Sequence, residues 1–182
     1  VPVEGAHDVI GDRAYSDDPV AVTHLGLAAA QSLLEGGVLP VVKHMPGHGR
    51  ATADSHLRLP VVDVPRAELE TTDFAAFRPL SRLPLGMTAH VVFSAIDAIA
   101  PATTSATMVR EVIRGSIGFE GLLMSDDVSM GALSGSIAER SHAALAAGCD
   151  VVLHCNGHLD EMQAVAAAVP HLAGAALARG EA

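Results

Sequence analysis

The sequence predicts an α/β fold, either a (β/α)8 barrel of the TIM type or a doubly wound parallel sheet. Apolar residues make up 49% of the 182 residues and aromatic residues only 3%, so the core must rest on aliphatic side chains. These side chains form short apolar runs, as in parallel strands that are buried on both faces. The runs alternate with segments of helical periodicity. No G-x-G-x-x-G sequence follows a predicted strand, which weakens the dinucleotide-binding version of the doubly wound sheet.

The first predicted unit is a helix followed by a strand. Asp18 is a suitable N-cap, and Pro19 fits the first helical position because that position needs no amide hydrogen. Gly36 ends the helix. The strand covers Val38 to Val42 and ends at the polar pair Lys43-His44.

The remaining strands and helices follow in alternation. They are a helix from about Pro65 to Leu80, a strand from Leu85 to Phe93, a helix capped by Ser105, a strand from Gly121 to Met124, a helix from Ile137 to Ala147 closed by Gly148, a strand from Asp150 to Cys155 and a helix from Leu159 to Val169. Alternation of this kind predicts parallel strands with right-handed helical crossovers. A full barrel takes about 250 residues, so four such units and the tail of another at Val1–Val3 amount to about half a barrel. Residues 1–182 are predicted to form this one partial domain.

Charge and cysteine content exclude several classes of protein. The net charge of −10 argues against binding to nucleic acid or to an anionic membrane, since both require clustered Lys and Arg. Only Cys149 and Cys155 are present, which predicts buried thiols in a reducing compartment and not a disulfide framework. No apolar run reaches the roughly 18 residues of a membrane span. We therefore expect a cytoplasmic protein.

The densest polar segment is Lys43-His44-Met45-Pro46-Gly47-His48-Gly49, followed by Asp54-Ser55-His56. Its proline and glycines prevent a helix and predict a long loop over a strand end. Asp54 could orient His56 so that the outer ring nitrogen exchanges protons with a substrate. Two alternatives stay open here: a metal site, and a hydrogen bond that merely stabilises the loop.

The second polar cluster is Ser125-Asp126-Asp127, at the end of a predicted buried strand. A carboxylate in this place could attack a bound electrophile. Successive side chains of a strand point to opposite faces, so only one of the two carboxylates can face a site at the barrel mouth. The other is expected to cap a helix or support its neighbour.

These segments together resemble the β-N-acetylhexosaminidases of glycoside hydrolase family 3. The segment 43–49 with 54–56 resembles the signature loop of that family, although phenylalanine is more usual at the position of Met45. The other resemblances are Gly118–Gly121 running into Ser125–Met130, similar to the nucleophile segment; Ile10–Tyr15, similar to the substrate-arginine loop; and Met87–Val91, similar to the strand between the catalytic segments. The matches run in family order from Ile10 to Asn156.

The resemblance implies that the chain is the second half of a (β/α)8 catalytic barrel. It also implies hydrolysis of terminal β-linked N-acetylglucosamine with retention, on muropeptides in cytoplasmic peptidoglycan recycling, without a cofactor or metal. The implied roles are Asp126 as nucleophile, His56 as general acid/base with Asp54 as its orienting partner, and Lys43, His44 and Arg13 as sugar contacts. A family 3 β-glucosidase, a non-catalytic half-barrel module, and a metal-dependent hydrolase using His44, His48, His56 and Asp54 are the alternatives. The oligomeric state stays open.

Overall fold

A four-stranded parallel sheet organises the structure, a computed structural model that describes residues 2–4, 14–51, 53, 55 and 58–182. Its strands are β1 (Val41–Met45), β3 (Leu85–Thr88), β5 (Leu122–Asp127) and β6 (Val151–Leu153), and each lies beside the next one along the chain. A doubly wound sheet reverses its strand order at a switch point. The unbroken order seen here is that of a barrel wall, so the structure favours the barrel over the doubly wound sheet.

A second, two-stranded sheet lies beyond the carboxyl ends of β1 and β3. It pairs β2 (Val61–Val62) with β4 (Val92–Phe93), again in parallel. The single strand predicted from Leu85 to Phe93 is therefore wrong. After Thr88 the chain leaves the main sheet, and Val92 donates to the carbonyl of Pro60 instead.

The helices agree with the sequence where local signals are strong. Helix α1 (Pro19–Glu35) is capped by Asp18, α3 (Ile137–Ala147) ends at Gly148, and α4 (Leu159–Ala168) ends one residue before the predicted bound. A π-helical segment covers Met108–Ser116, and the hydroxyl of Ser105 accepts from the Met108 amide as the predicted cap. Helix α5 (Gly174–Glu181) was not predicted.

One predicted helix and the bounds of the other three predicted strands also differ from the structure. Strand β5 begins one residue later and ends three residues later than predicted. The helix from Pro65 to Leu80 is broken into α2 (Arg66–Thr71) and a 3₁₀ helix (Ala75–Leu80). The break turns Asp73 and Phe74 inward, with exposures of 3% and 0%. Strand β1 begins three residues later than predicted and includes the Lys43-His44 pair, and β6 is shorter than predicted at both ends.

The core lies against the main sheet and is only partly aliphatic. Three of the four phenylalanines are among its largest fully buried side chains. Phe74 and Phe93 meet edge-to-face with ring centroids 5.9 Å apart. Gly86 on β3 lets Phe119 pack against the sheet, because a Cβ there would lie 2.7 Å from its ring. Of the two cysteines, Cys149 is buried as expected, whereas Cys155 is exposed.

In the part of the chain that the structure describes, the sheet is open at both edges. Strand β1 pairs only with β3 and β6 only with β5 within the described residues. Apolar side chains near the β1 edge are exposed, including Val38 at 54%, Leu39 at 60% and Val41 at 37%. Among the helices that the structure describes, none has the length and apolar character to cross a membrane.

Candidate active site

The carboxyl ends of β1, β3 and β5 bring the polar clusters of the sequence together. Nε2 of His44, on β1, lies 3.7 Å from Oδ2 of Asp126, on β5. The two residues are 82 positions apart in the numbering and meet only because their strands flank β3. Active sites of parallel α/β folds are built at this end of the sheet.

Asp126 is a largely buried carboxylate at the site, with 9% exposure. Its Oδ1 accepts from the Asp127 amide at 2.9 Å, and its own amide donates to Oγ1 of Thr88 at 3.3 Å. These contacts fix the main chain and one carboxylate oxygen. The other oxygen, Oδ2, is the one that faces His44.

Asp127 has a different environment. Its carboxylate accepts from the amide and hydroxyl of Ser129 at 2.9 and 2.7 Å, and from the Cys155 amide at 3.1 Å. The Ser125 hydroxyl makes a similar contact with β6 and accepts from the Leu153 amide at 2.9 Å. Asp127 and Ser125 thus join the end of β5 to β6 on one face, while Asp126 points to the other.

His44 is held as a neutral imidazole. Burial lowers its pKa to about 4, and Lys43, His48 and His90 act in the same direction, while the negative charge of Asp126 opposes them. A neutral ring beside a carboxylate can donate one hydrogen bond and accept another. His44 can therefore bind a hydroxyl group without adding charge to the site.

The predicted loop after β1 folds back onto the strand end. Ala53 and Ser55 are both buried to 4% exposure, and the Ser55 hydroxyl lies 3.2 Å from Nε2 of His48. His48 in turn places its ring edge-on to His44, with centroids 5.7 Å apart. The burial of these residues supports a loop that returns to the site.

Three of the predicted site residues lie outside the described residues: Arg13, Asp54 and His56. Their roles stay predictions. Lys43 is described and exposed on β1, next to His44. In the part of the chain that the structure describes, no group of three His, Cys, Asp or Glu side chains is placed to hold a metal ion.

An ion pair that the sequence did not reveal anchors the start of the loop. Nε of Arg50 lies 2.6 Å from Oδ2 of the buried Asp73, and its other nitrogens reach Glu68 at 3.0 Å and Thr72 at 3.2 Å. The break in the helix after Thr71 is what turns Asp73 toward Arg50. An arginine directly after the segment Gly47-His48-Gly49 was the available signal, but local spacing does not identify its partner.

His90 is wholly buried and does not line the site. It lies behind Asp126 and Asp127, with Nε2 2.9 Å from the Asp127 carbonyl oxygen and Nδ1 2.7 Å from Oγ1 of Thr103. His90 belongs to the segment Met87–Val91, which resembles the family's strand between the catalytic segments. Its contacts make it a supporting residue.

A cavity of about 420 Å³ adjoins this site on the side of β1 and α1. Lys43, His44 and His48 form its polar wall, and Tyr15 and Phe77 contribute aromatic surface. Asp126 is not among the lining residues, so the cavity extends from the site and does not contain the carboxylate. It lies along the open edge of β1.

A family comparison covers nearly the whole chain. The sequence model described as the glycosyl hydrolase family 3 N terminal domain matches residues 1–178. A β-hexosaminidase of Alkalilimnicola ehrlichii is 45% identical over 172 residues, which are 92% of this chain and 48% of that protein. The chain thus spans about half the length of the curated relatives it matches.

Solved structures show the same architecture. A family 3 β-N-acetylglucosaminidase from a Paenibacillus species superposes with a TM-score of 0.87 at 29% identity, covering 99% of this chain and 38% of that one. NagZ from Neisseria gonorrhoeae, in complex with N-trifluoroacetyl-D-glucosamine, superposes with a TM-score of 0.86 at 36% identity. That match covers 99% of this chain and 52% of NagZ.

Proposed function

Because the chain belongs to glycosyl hydrolase family 3, we propose that it carries the catalytic residues of a retaining β-N-acetylhexosaminidase. Its homology to β-hexosaminidases extends over most of its length. The proposed substrate is a terminal β-linked N-acetylglucosamine, and the chain forms the second half of the barrel. Parallel strands in chain order, with an open edge at each side, support this placement.

The different surroundings of Asp126 and Asp127 carry the proposal. The Asp127 carboxylate accepts three hydrogen bonds from the protein itself. Asp126 keeps Oδ2 toward His44 at the strand end. These contacts support Asp126, and not Asp127, as the proposed nucleophile.

In the first step, Oδ2 of Asp126 attacks the anomeric carbon and the glycosidic C–O bond breaks. His56, oriented by Asp54, gives its proton to the departing oxygen. In the second step, a water molecule attacks the same carbon, His56 takes its proton, and the Asp126 carboxylate is released. Two inversions give net retention. A histidine in this role avoids a second negative charge beside the nucleophile.

The sugar contacts are assigned to Lys43, His44 and Arg13. The neutral state of His44 suits a hydroxyl group, which both donates and accepts hydrogen bonds. The glucosamine derivative bound by the N. gonorrhoeae relative supports a sugar of this type. On the same resemblance we assign the protein to cytoplasmic turnover of muropeptides during peptidoglycan recycling.

The test compares hydrolysis of chromogenic β-N-acetylglucosaminide and β-glucoside by the wild type and by Asp126→Asn. We expect activity on the first substrate, reduced by roughly a thousandfold or more in the variant, because the nucleophile of a covalent mechanism is removed. The matched control is Asp17→Asn, since Asp17 is exposed and is not among the residues that line the cavity beside His44. It should keep wild-type activity.

A chemical rescue distinguishes the nucleophile from a merely necessary residue. In Asp126→Gly, added azide can enter the space of the lost carboxylate and attack the anomeric carbon. The product should be the α-glycosyl azide, of inverted configuration. Full activity of Asp126→Asn would contradict the assignment, and preference for the glucoside would favour a β-glucosidase. Inactivity of both this chain and a form extended to the length of its relatives would favour a non-catalytic half-barrel module.

A further inference from the structure

A group of buried polar side chains lies directly behind Asp126. The hydroxyl oxygens of Thr88 and Thr103 are 2.8 Å apart, and Oγ1 of Thr103 is 2.7 Å from Nδ1 of His90. All three residues have 0% exposure. Polar groups buried this deeply are retained only where they are hydrogen-bonded. Their arrangement is therefore specific.

Both ends of this group reach the main chain of β5. The amide of Asp126 donates to Oγ1 of Thr88 at 3.3 Å. At the other end, Nε2 of His90 lies 2.9 Å from the carbonyl oxygen of Asp127. The side chains thus bridge two main-chain groups that bracket residues 126 and 127.

The two ends fix the direction of the hydrogen bonds between them. A carbonyl oxygen only accepts, so Nε2 of His90 carries a hydrogen. Burial lowers the pKa of His90 and keeps the ring neutral, so Nδ1 accepts the hydrogen of Thr103. Thr103 then accepts from Thr88, which accepts from the Asp126 amide. Within this chain of contacts, each hydroxyl donates once and accepts once.

A protonated ring would produce a different network. Nδ1 would then donate to Thr103, whose hydrogen would turn to the Ala89 carbonyl oxygen, 3.1 Å away. The charged groups that face His90 are Asp126, Asp127 and Arg140, with the titratable ring of His44 across the site. The two networks differ in the hydrogen on Nδ1 and in the direction of the Thr103 hydroxyl, and the first difference can be measured.

We propose that Thr88, Thr103 and His90 form a one-directional hydrogen-bond chain that clamps the main chain around Asp126 and so aims its carboxylate. The three are positioning residues, since none of them touches the sugar. Their part in catalysis rests on the proposed function of Asp126. The clamp itself is a property of the fold.

The first measurement reads the ring nitrogens of His90 by ¹⁵N NMR of the isotope-labelled protein. The signals are assigned among the ten histidines by their loss in His90→Gln. We expect a hydrogen on Nε2 and a bare, accepting Nδ1 at neutral pH. A hydrogen on Nδ1, in either the neutral or the charged ring, would overturn the directional chain.

The second measurement breaks the chain at its centre. Thr103→Val removes the hydroxyl at nearly constant volume, and Thr103→Ser restores it. We expect the Asp126 amide resonance to move in the valine variant and to stay in place in the serine variant. The control is Thr104→Val, because no side-chain hydrogen bond of Thr104 is present among the described residues.

Steady-state kinetics then test whether the hydrogen-bond chain orients the Asp126 carboxylate. Thr103→Val should lower kcat by roughly tenfold to a hundredfold with little change in KM, as small misplacements of reacting groups do. Thr103→Ser should recover most of it, and Thr104→Val should match the wild type. Unchanged kcat in Thr103→Val, with only a lower melting temperature, would make the group merely structural. Inactivity of both the wild type and the form extended to the length of its relatives would count against the proposed function, while the two NMR measurements would still decide on the clamp.

Discussion

His44 shows how one residue can be identified from sequence while its state depends on the fold. The sequence places it beside Lys43 at a strand end. Only the structure shows that burial, with help from Lys43, His48 and His90, lowers its pKa to about 4. Because of this burial, His44 is a neutral hydrogen-bonding group at the site and not a cation.

We predict that His44 titrates near pH 4 and that Asp126→Asn lowers its pKa further. The negative charge of Asp126 is the one influence that raises the His44 pKa, so removing it leaves burial less opposed. NMR titration of the His44 ring measures both values. Asp17→Asn, at an exposed position, should leave the value unchanged. A higher pKa in Asp126→Asn would contradict the electrostatic account.

The same shift has a consequence for stability. An unfolded chain protonates His44 near its ordinary pKa of 6.5, whereas the folded protein does so only near 4. Between these values the unfolded state binds more protons, so this residue lowers the free energy of unfolding as the pH falls. Its contribution is complete above pH 6.5 and is lost toward pH 4.

At the scale of elements, the end of α3 depends on a glycine for two separate reasons. Gly148 has φ of +112°, and a Cβ at this position would lie 2.9 Å from Cγ1 of Val109 in the π-helical segment. A side chain there would meet both backbone strain and a clash. The helix end and the neighbouring segment are therefore fitted to each other.

We predict that Gly148→Ala lowers the free energy of unfolding by about 2–4 kcal/mol, combining roughly 1–2 for the left-handed backbone with a similar cost for displaced packing. The control is Gly157→Ala, where φ is +77° but nothing lies within 4 Å of the added Cβ. It should show the backbone cost alone. Urea unfolding measures the stability of both variants. Equal losses in the free energy of unfolding would mean that the Val109 side chain moves aside at no cost.

The loop after β1 depends on the pair of Arg50 and Asp73. Asp73 is buried with 3% side-chain exposure, and Arg50 has 15%. We predict that Arg50→Met lowers the free energy of unfolding by about 3 kcal/mol, because the buried carboxylate loses its partner. It should also reduce activity, since the loop that carries His56 loses its anchor.

The control for Arg50→Met is Arg110→Met. Arg110 pairs with Glu111 at the surface, where the side chains are 67% and 42% exposed. Exposed pairs contribute less than about 1 kcal/mol, so this variant should unfold almost as the wild type does. Equal losses in the two variants, measured by urea unfolding, would show that the loop does not depend on the buried pair.

At the scale of the whole molecule, the open sheet is the dominant feature. Strands β1 and β6 each leave one edge unpaired within the described residues. Unpaired edges with apolar neighbours favour pairing with another chain. The relatives are about twice as long as this chain, which fits a wall of a larger barrel.

We predict that the 182-residue chain alone associates as its concentration rises, measured by light scattering after size exclusion. Val41→Lys places a charge on the β1 edge and should reduce association. Ile99→Lys is the control, since Ile99 is 88% exposed and belongs to neither edge strand, and it should associate like the wild type. A monomer at every concentration would contradict the prediction.

The sequence by itself determined the features that depend on neighbouring residues. Asp18 with Pro19 begins α1, Gly148 ends α3, and the apolar runs mark the parallel strands. The order of the polar segments along the chain pointed to the family. These signals are local, because caps and periodicities act over a few residues.

The tertiary structure decided what depends on residues far apart in the chain. It turned Asp73 out of a continuous helix to meet Arg50, and it took the chain away from the sheet after Thr88. In the folded protein the Asp127 carboxylate accepts from the main chain just after β6, and Asp126 faces His44 at the site. His90 lies behind both residues. Residue spacing in the sequence does not identify these partners, because burial and long-range hydrogen bonding outweigh local propensity once the strands assemble.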